Sequence, residues 1–180
     1  GRKAIIRGNK IGTDVSGSIM RANGTSGITL FNHEQAWVEN NTVSGNTGDG
    51  IQILENSFLN TIRKNRIGVM ALSDDALGNS QNGINLYDNG FSYPSDNLID
   101  SNLIAQNGNF GVLIQGTQTD SNRVVFNIIY KNLGGGVSLF NGAQQSIPAP
   151  IITTAIGDGQ FSGTSLNNAL IYVYADSVDQ

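Results

Sequence analysis

The 180-residue chain contains no cysteine, one histidine and three prolines. Without cysteine there is no disulfide framework, no thiolate metal site and no cysteine nucleophile. A single imidazole, His33, excludes a zinc site built on several histidines and leaves a histidine-based triad little to work with. Charge is scarce as well. Asp, Glu, Lys and Arg make up 13% of the chain, against a usual share of about 25%. The net charge of -4 provides no positive field to draw phosphate, which excludes a basic nucleic-acid binder. No apolar run reaches 18 residues, so no membrane span is expected. The chain opens Gly1-Arg2-Lys3, with no initiator Met and no signal-peptide pattern. This start predicts a piece excised from a longer protein.

What is abundant is glycine and asparagine, 23 of each. They recur with a period. Gly-(Ile/Val)-x-(Leu/Ile) occurs at Gly27, Gly50, Gly83, Gly111 and Gly136. Asn97, Asn102, Asn107 and Gly111 return 25 residues later as Asn122, Asn127, Asn132 and Gly136. A longer correspondence carries Asn9-Lys10-Ile11-Gly12 to Asn65-Arg66-Ile67-Gly68, Asn23 to Asn79 and Gly27-Ile28 to Gly83-Ile84. Apolar residues alternate in very short runs, which predicts strands of three to five residues. Asn and Gly between them supply bends that branched residues resist. Strand and corner, three times over, make one turn of a coil, and the repeat argues an all-β parallel β-helix of about five to six coils. Ile28, Ile51, Ile84, Val112 and Val137 form one inward column. Leu30, Ile53, Leu86, Ile114 and Leu139 form its neighbour. The Asn residues are read as a stacked amide ladder that bonds the corners, rather than as ligands for sugar or calcium.

The run Asn9-Lys10-Ile11-Gly12-Thr13-Asp14, then Gly17, Asn23 and Gly27-Ile28, resembles the N-x-I-G-T-D-x-x-G repeat of large secreted or surface-attached bacterial proteins. Those proteins are right-handed parallel β-helices, similar in fold to the pectate-lyase superfamily. The resemblance covers residues 1–142 and implies an extracellular or cell-surface location. In the second copy Val69, Met70 and Ser73 replace Thr13, Asp14 and Gly17. The Thr-Asp pair is read as a local turn hydrogen bond that the second copy makes otherwise.

Domain organisation follows from where the repeat stops. Residues 1–146 are expected to form the β-helix. Residues 147–180 are expected to form a linker and a partial β segment, because Pro148 and Pro150 intervene and the Asn period is lost. Strands are predicted over 151–156, 161–165 and 169–175, with corners at Asp158-Gly159 and Asn167-Asn168. The pattern resembles the opening strands of a bacterial Ig-like module. A full sandwich needs about seven strands, so this segment is expected to cap the helix or to pair with a second copy, giving a homodimer through residues 151–180.

Few residues qualify for chemistry. A lyase needs a base and a cation beside the uronate carboxylate, and a glycosidase needs paired carboxylates. Asp96 and Asp120 fall on neighbouring coils one residue out of register. Arg63, Lys64 and Arg66 are the one basic cluster, and it lies on a different coil. No catalytic residue is assigned and no cofactor is expected, beyond an adventitious calcium ion at Asp96 and Asp120 with nearby Asn carbonyls. The outward row is more suggestive. Thr29, Gln52, Asn85, Leu113 and Ser138 alternate with Phe31, Leu54, Tyr87, Gln115 and Phe140 on the solvent side. A polar row beside a partly aromatic one can stack sugar rings, and the alternative is that the aromatics cover a corner. The function expected is a non-catalytic structural or adhesive stalk. The alternatives are a polysaccharide-binding surface, with Phe31, Tyr87, Phe140, Gln52, Asn85, Asp96 and Asp120 as candidates, and a lyase or glycosidase fragment completed outside this chain.

Overall fold

Strands of two to six residues are too short to stand alone and must pair with their own equivalents one coil away. The computed structural model of the chain describes residues 1–88, 90, 92–146, 151–156 and 160–164. The first coil is β1 (Ile5–Arg7), β2 (Lys10–Ile11) and β3 (Ile28–Phe31), and the second is β4 (Trp37–Glu39), β5 (Thr42–Val43) and β6 (Ile51–Leu54). The third is β7 (Thr61–Arg63), β8 (Arg66–Ile67) and β9 (Ile84–Tyr87), and the fourth is β10 (Leu98–Asp100), β11 (Leu103–Ala105) and β12 (Phe110–Gln115). The fifth is β13 (Arg123–Val125), β14 (Ile128–Tyr130) and β15 (Gly135–Phe140). Equivalent strands stack into three parallel five-stranded sheets. The molecule is a right-handed parallel β-helix of five coils, in the hand usual for parallel crossovers.

The inward columns hold their expected register. Ile28, Ile51, Ile84, Val112 and Val137 are aligned, as are Leu30, Ile53, Leu86, Ile114 and Leu139. Val38, Ile62 and Ile99 stack beneath the first sheet, and Val43, Ile67, Ile104 and Ile129 beneath the second. All these residues but the fifth-coil pair Val137 and Leu139 are buried. Each buried side chain contributes roughly 1.5–3 kcal/mol. Val137 and Leu139 form the last rung and remain partly exposed.

The corners are held by three columns of stacked amides. They are Asn9–Asn41–Asn65–Asn102–Asn127, Asn23–Asn46–Asn79–Asn107–Asn132 and Asn60–Asn97–Asn122. Asn65 shows the pattern. Its backbone N–H and its Nδ2 both donate to Asn102 Oδ1, at 3.0 and 2.9 Å. Nδ2 also donates to the Val38 carbonyl at 2.9 Å. The third column ends on Gln144, whose Oε1 accepts from the Asn122 N–H and whose Nε2 donates to the Asn122 carbonyl. The longer side chain completes the stack where the Asn period has run out.

The glycine after each second-sheet strand of the long repeats has a steric cause. Gly12 and Gly68 have positive φ, and a Cβ at either would lie 2.2 Å from the Ser44 carbonyl or 2.0 Å from the Ala105 carbonyl. Both are followed by an inserted loop. In the first, Asp14 Oδ1 accepts from Ser16 Oγ and from the N–H groups of Gly17, Ser18 and Ile19. The Ser16 hydroxyl and these backbone donors hold its carboxyl down at about 2. The second loop lacks that Asp. Instead Arg66 donates to the carbonyls of Met70 and Ser73 and pairs with Asp74 at 2.6 Å. The two loops touch through the Ala71 N–H and the Gly17 carbonyl.

Beyond the coils, β16 (Ile151–Ile156) pairs antiparallel with β17 (Gln160–Thr164). The corners expected at Asp158-Gly159 and Asn167-Asn168, and the third strand over 169–175, lie outside the described residues.

Ile84→Ala or Ile114→Ala should cost about 2–5 kcal/mol in denaturant unfolding, as large-to-small changes in a packed core do. A loss under about 0.5 kcal/mol would mean that neither side chain is locked in an inward column.

Candidate functional site

The third sheet turns one face to solvent, and its strands carry that face in two aligned columns. Backbone register places Phe31, Leu54, Tyr87, Gln115 and Phe140 in one line. Thr29, Gln52, Asn85, Leu113 and Ser138 form the line beside it. Phe31, Tyr87 and Phe140 are 62%, 43% and 56% exposed. They come from the first, third and fifth coils, so neighbouring rings are spaced by two coils, roughly 9–10 Å. Leu54 and Gln115, between them, are half-buried. Three exposed rings thus stand in register along one edge of the third sheet.

The polar column is less open than alternation alone suggests. Asn85 is only 7% exposed and its amide is committed. Its Nδ2 donates to Asp49 Oδ2 at 3.0 Å, and its Oδ1 accepts from Gln115 Nε2 at 3.1 Å. Asp49 Oδ1 accepts both the backbone N–H and the Nδ2 of Asn82, at 2.9 and 2.7 Å. The chain Asp49–Asn85–Gln115 spans three coils and fixes the orientation of every amide in it. Gln52 keeps a half-exposed amide, with a long contact from the Ser26 hydroxyl at 3.5 Å. The candidate polar contacts therefore divide. Gln52 has freedom to meet a ligand, whereas Asn85 serves to hold Gln115.

Asp96 and Asp120 lie on adjacent coils, where the Asp96 N–H donates to the Asp120 carbonyl at 3.3 Å. Each carboxylate already has a local donor. Ser95 Oγ bonds Asp96 Oδ2, and the Gln145 N–H bonds Asp120 Oδ1. The two residues lie in the corner that follows the third-sheet strands, between β9 and β10 and between β12 and β13. Among the described residues, no group of three or more His, Cys, Asp or Glu side chains is placed to hold a metal ion.

One cluster escaped sequence reasoning, and another is legible there only in part, as the basic run Arg63, Lys64 and Arg66 without Lys10 or the groove. Glu39 points outward from β4 yet is 3% exposed, because Arg7 and Arg63 close over it from the coils on either side. Arg63 also stacks on Trp37, 4.8 Å from the ring centroid. The hydrogen bond from Arg63 and the charge of Arg7 hold the Glu39 carboxyl below the usual range. Arg7, Glu39 and Arg63 are third residues of equivalent strands, so the repeat register could have exposed the alternation of sign. The second cluster is a groove of about 330 Å³ on the second sheet, flanked by Lys10, Lys64 and Arg66.

Comparison with known proteins places this geometry. Residues 1–147 match the family model described as periplasmic copper-binding protein (NosD). No curated protein and no solved structure matches.

Asp49→Asn tests the network behind the aromatic face. One carboxylate oxygen would become an NH₂ facing a donor of Asn82 or Asn85. Unfolding should show a loss of about 1–3 kcal/mol, the cost of stranding a buried polar group. An unchanged midpoint would mean that the bonds to Asp49 contribute nothing.

Proposed function

The chain belongs to the NosD family, and we propose that it acts as a non-catalytic structural and adhesive β-helix module outside the cytoplasm, docking extended polysaccharide on its aromatic column. The family description, which names a periplasmic protein, supports the location. The single observation that carries the ligand reading is the alignment of exposed Phe31, Tyr87 and Phe140 in one column of the third sheet. Aromatic rings supply large, stiff contact area at low entropic cost. Their two-coil spacing is close to the disaccharide repeat of an extended β-linked glycan. Gln52 and Gln115 lie where hydroxyls of such a chain would pass.

Copper does not carry over from the family description. Copper sites draw on thiolate, thioether and imidazole ligands. This chain has no Cys, and its only His and two Met residues are His33, Met20 and Met70. Met20 and Met70 lie in the two inserted loops, whereas His33 lies at a different corner, between β3 and β4. The buried Nδ1 of His33 has no hydrogen-bond partner, but no second soft ligand accompanies it from the inserted loops. The donor set does not fit a resident copper site.

We also propose that residues 147–180 form a separate unit, resembling the first strands of an Ig-like module. The family match ends at residue 147, and the hairpin of β16 and β17 pairs antiparallel, unlike any coil. Among the described residues this unit has two strands, and a two-stranded sheet is marginal alone, which favours pairing with a second copy through residues 151–180.

Affinity electrophoresis in gels containing neutral xylan or hydroxyethylcellulose tests the glycan reading. The wild-type chain should be retarded. Phe31→Ala/Tyr87→Ala/Phe140→Ala should weaken binding at least about tenfold, or 1.4 kcal/mol, with an unchanged unfolding midpoint. Free migration of the wild type, or equal retardation of the triple variant, would overturn it.

A further inference from the structure

Eight of the ten Lys and Arg residues lie in the first 70 positions of a chain whose net charge is negative. The coil register aligns two of them, and a third, Lys64, lies at the adjoining corner. Lys10, Thr42 and Arg66 occupy one outward column on β2, β5 and β8. The corner beside it runs through Gly8, Asn40 and Lys64, each with positive φ. A Cβ on Gly8 would meet nothing within 4 Å, so the corner opens into a notch at the first coil. Column and corner together bound the groove of about 330 Å³.

The groove has no acidic residue in its lining. Arg66 is committed to the loop that forms one wall, through Met70, Ser73 and Asp74. Lys10 and Lys64 are different. Both are exposed, and neither ammonium has an ion pair or a hydrogen bond among the described residues. The Thr42 hydroxyl and the Asn40 amide beside them also lack side-chain partners there. The site therefore offers two unneutralised cations, the exposed Asn40 amide and, in its floor, the largely buried Thr42 hydroxyl. Only Ala71 and Leu72 give it an apolar rim.

We propose that this groove binds the carboxylate or sulfate groups of an acidic polysaccharide. The cations meet the acid groups, and the hydroxyl and amide meet sugar hydroxyls. Charge-assisted hydrogen bonds of this kind are the stronger ones. A duplex nucleic acid is disfavoured, because two free cations in a net acidic protein release few counterions. The groove shares no residue with the aromatic column and lies on another sheet, so it stands or falls independently of neutral-glycan docking.

The test is chromatography of the full chain at low ionic strength on carboxymethyl-dextran, dextran sulfate and uncharged dextran. A protein of net charge -4 is repelled by polyanions as a whole, so retention reports a local cationic site. The wild type should be retained on both charged resins, not on dextran, and be released by salt as exposed ion pairs are. Lys10→Gln/Lys64→Gln should lose at least about tenfold in affinity. Arg123→Gln/Lys131→Gln, with the same net charge, and the triple aromatic variant should both be retained. Circular dichroism melting shows that each variant is folded. Absence of retention, equal retention of Lys10→Gln/Lys64→Gln, or equal loss in Arg123→Gln/Lys131→Gln would overturn the proposal. So would elution by inorganic sulfate at the same concentration of sulfate groups as free dextran sulfate, which would assign the groove to small free anions.

Discussion

The structure depends on a property of the asparagine side chain, which is donor and acceptor at once and short enough to stay at a corner. At the spacing of stacked coils, the Nδ2 of one Asn reaches the Oδ1 of the next, and the pattern propagates without a misfit. Asn41, Asn65, Asn102 and Asn127 form such a column, each almost fully buried. The same amides accept the backbone N–H of the preceding coil and donate to a strand carbonyl of that coil. The ladder therefore satisfies main-chain groups that the turn removes from the sheets, which would otherwise be stranded in the interior. Apolar columns provide the driving force, but they tolerate sliding. The amide bonds select which residue faces which.

A scaffold fixed at its corners leaves its outer surface free to vary. The three sheets share one backbone plan and carry different chemistry outside. The first bears the Arg7–Glu39–Arg63 ion pairs and the Trp37 stack. The second bears an open basic groove walled by an inserted loop. The third bears the aromatic column backed by Asp49, Asn85 and Gln115. The inserts also obey the plan. Both leave the coil at a glycine with positive φ, and each is closed by whichever local bonds its residues offer, Asp14 in one and Arg66 with Asp74 in the other.

Much of this was legible because the repeat is one-dimensional. Once Gly50 aligns with Gly83 and Asn97 with Asn122, register follows, and with it the inward columns and the outward row from Phe31 to Phe140. The structural role of Asn was readable for the same reason, since a ligand site would not recur at every corner. What the repeat hides is interaction between different columns. Asp49 occupies an ordinary corner position in the sequence, and nothing there tells that its carboxylate reaches both Asn82 and Asn85. Glu39 looks like a solvated strand residue until Arg7 and Arg63 close over it from neighbouring coils. Lys10 and Lys64 belong to different coils, 54 positions apart, and only the stacking of an inserted loop against that sheet makes a groove of them. The C-terminal strands lacked a period, so only the antiparallel pair over 151–156 and 160–164 can be set beside the pattern read from alternation.

The account rests on the amide columns, and Asn102→Asp tests it most directly. The substitution keeps shape and volume, and keeps an oxygen for the Asn65 donors. It replaces the NH₂ that faces the Ile62 carbonyl and Asn127 Oδ1 by a second acceptor. Denaturant unfolding at neutral pH should show a loss of about 2–5 kcal/mol, since each buried group left unpaired costs about 1–3 kcal/mol. Burial among acceptors raises the pKa of the new carboxyl in the folded state, so the loss should shrink as pH falls and protonation restores one donor. A variant as stable as the wild type at neutral pH would contradict the claim, leaving the apolar columns to set the register alone.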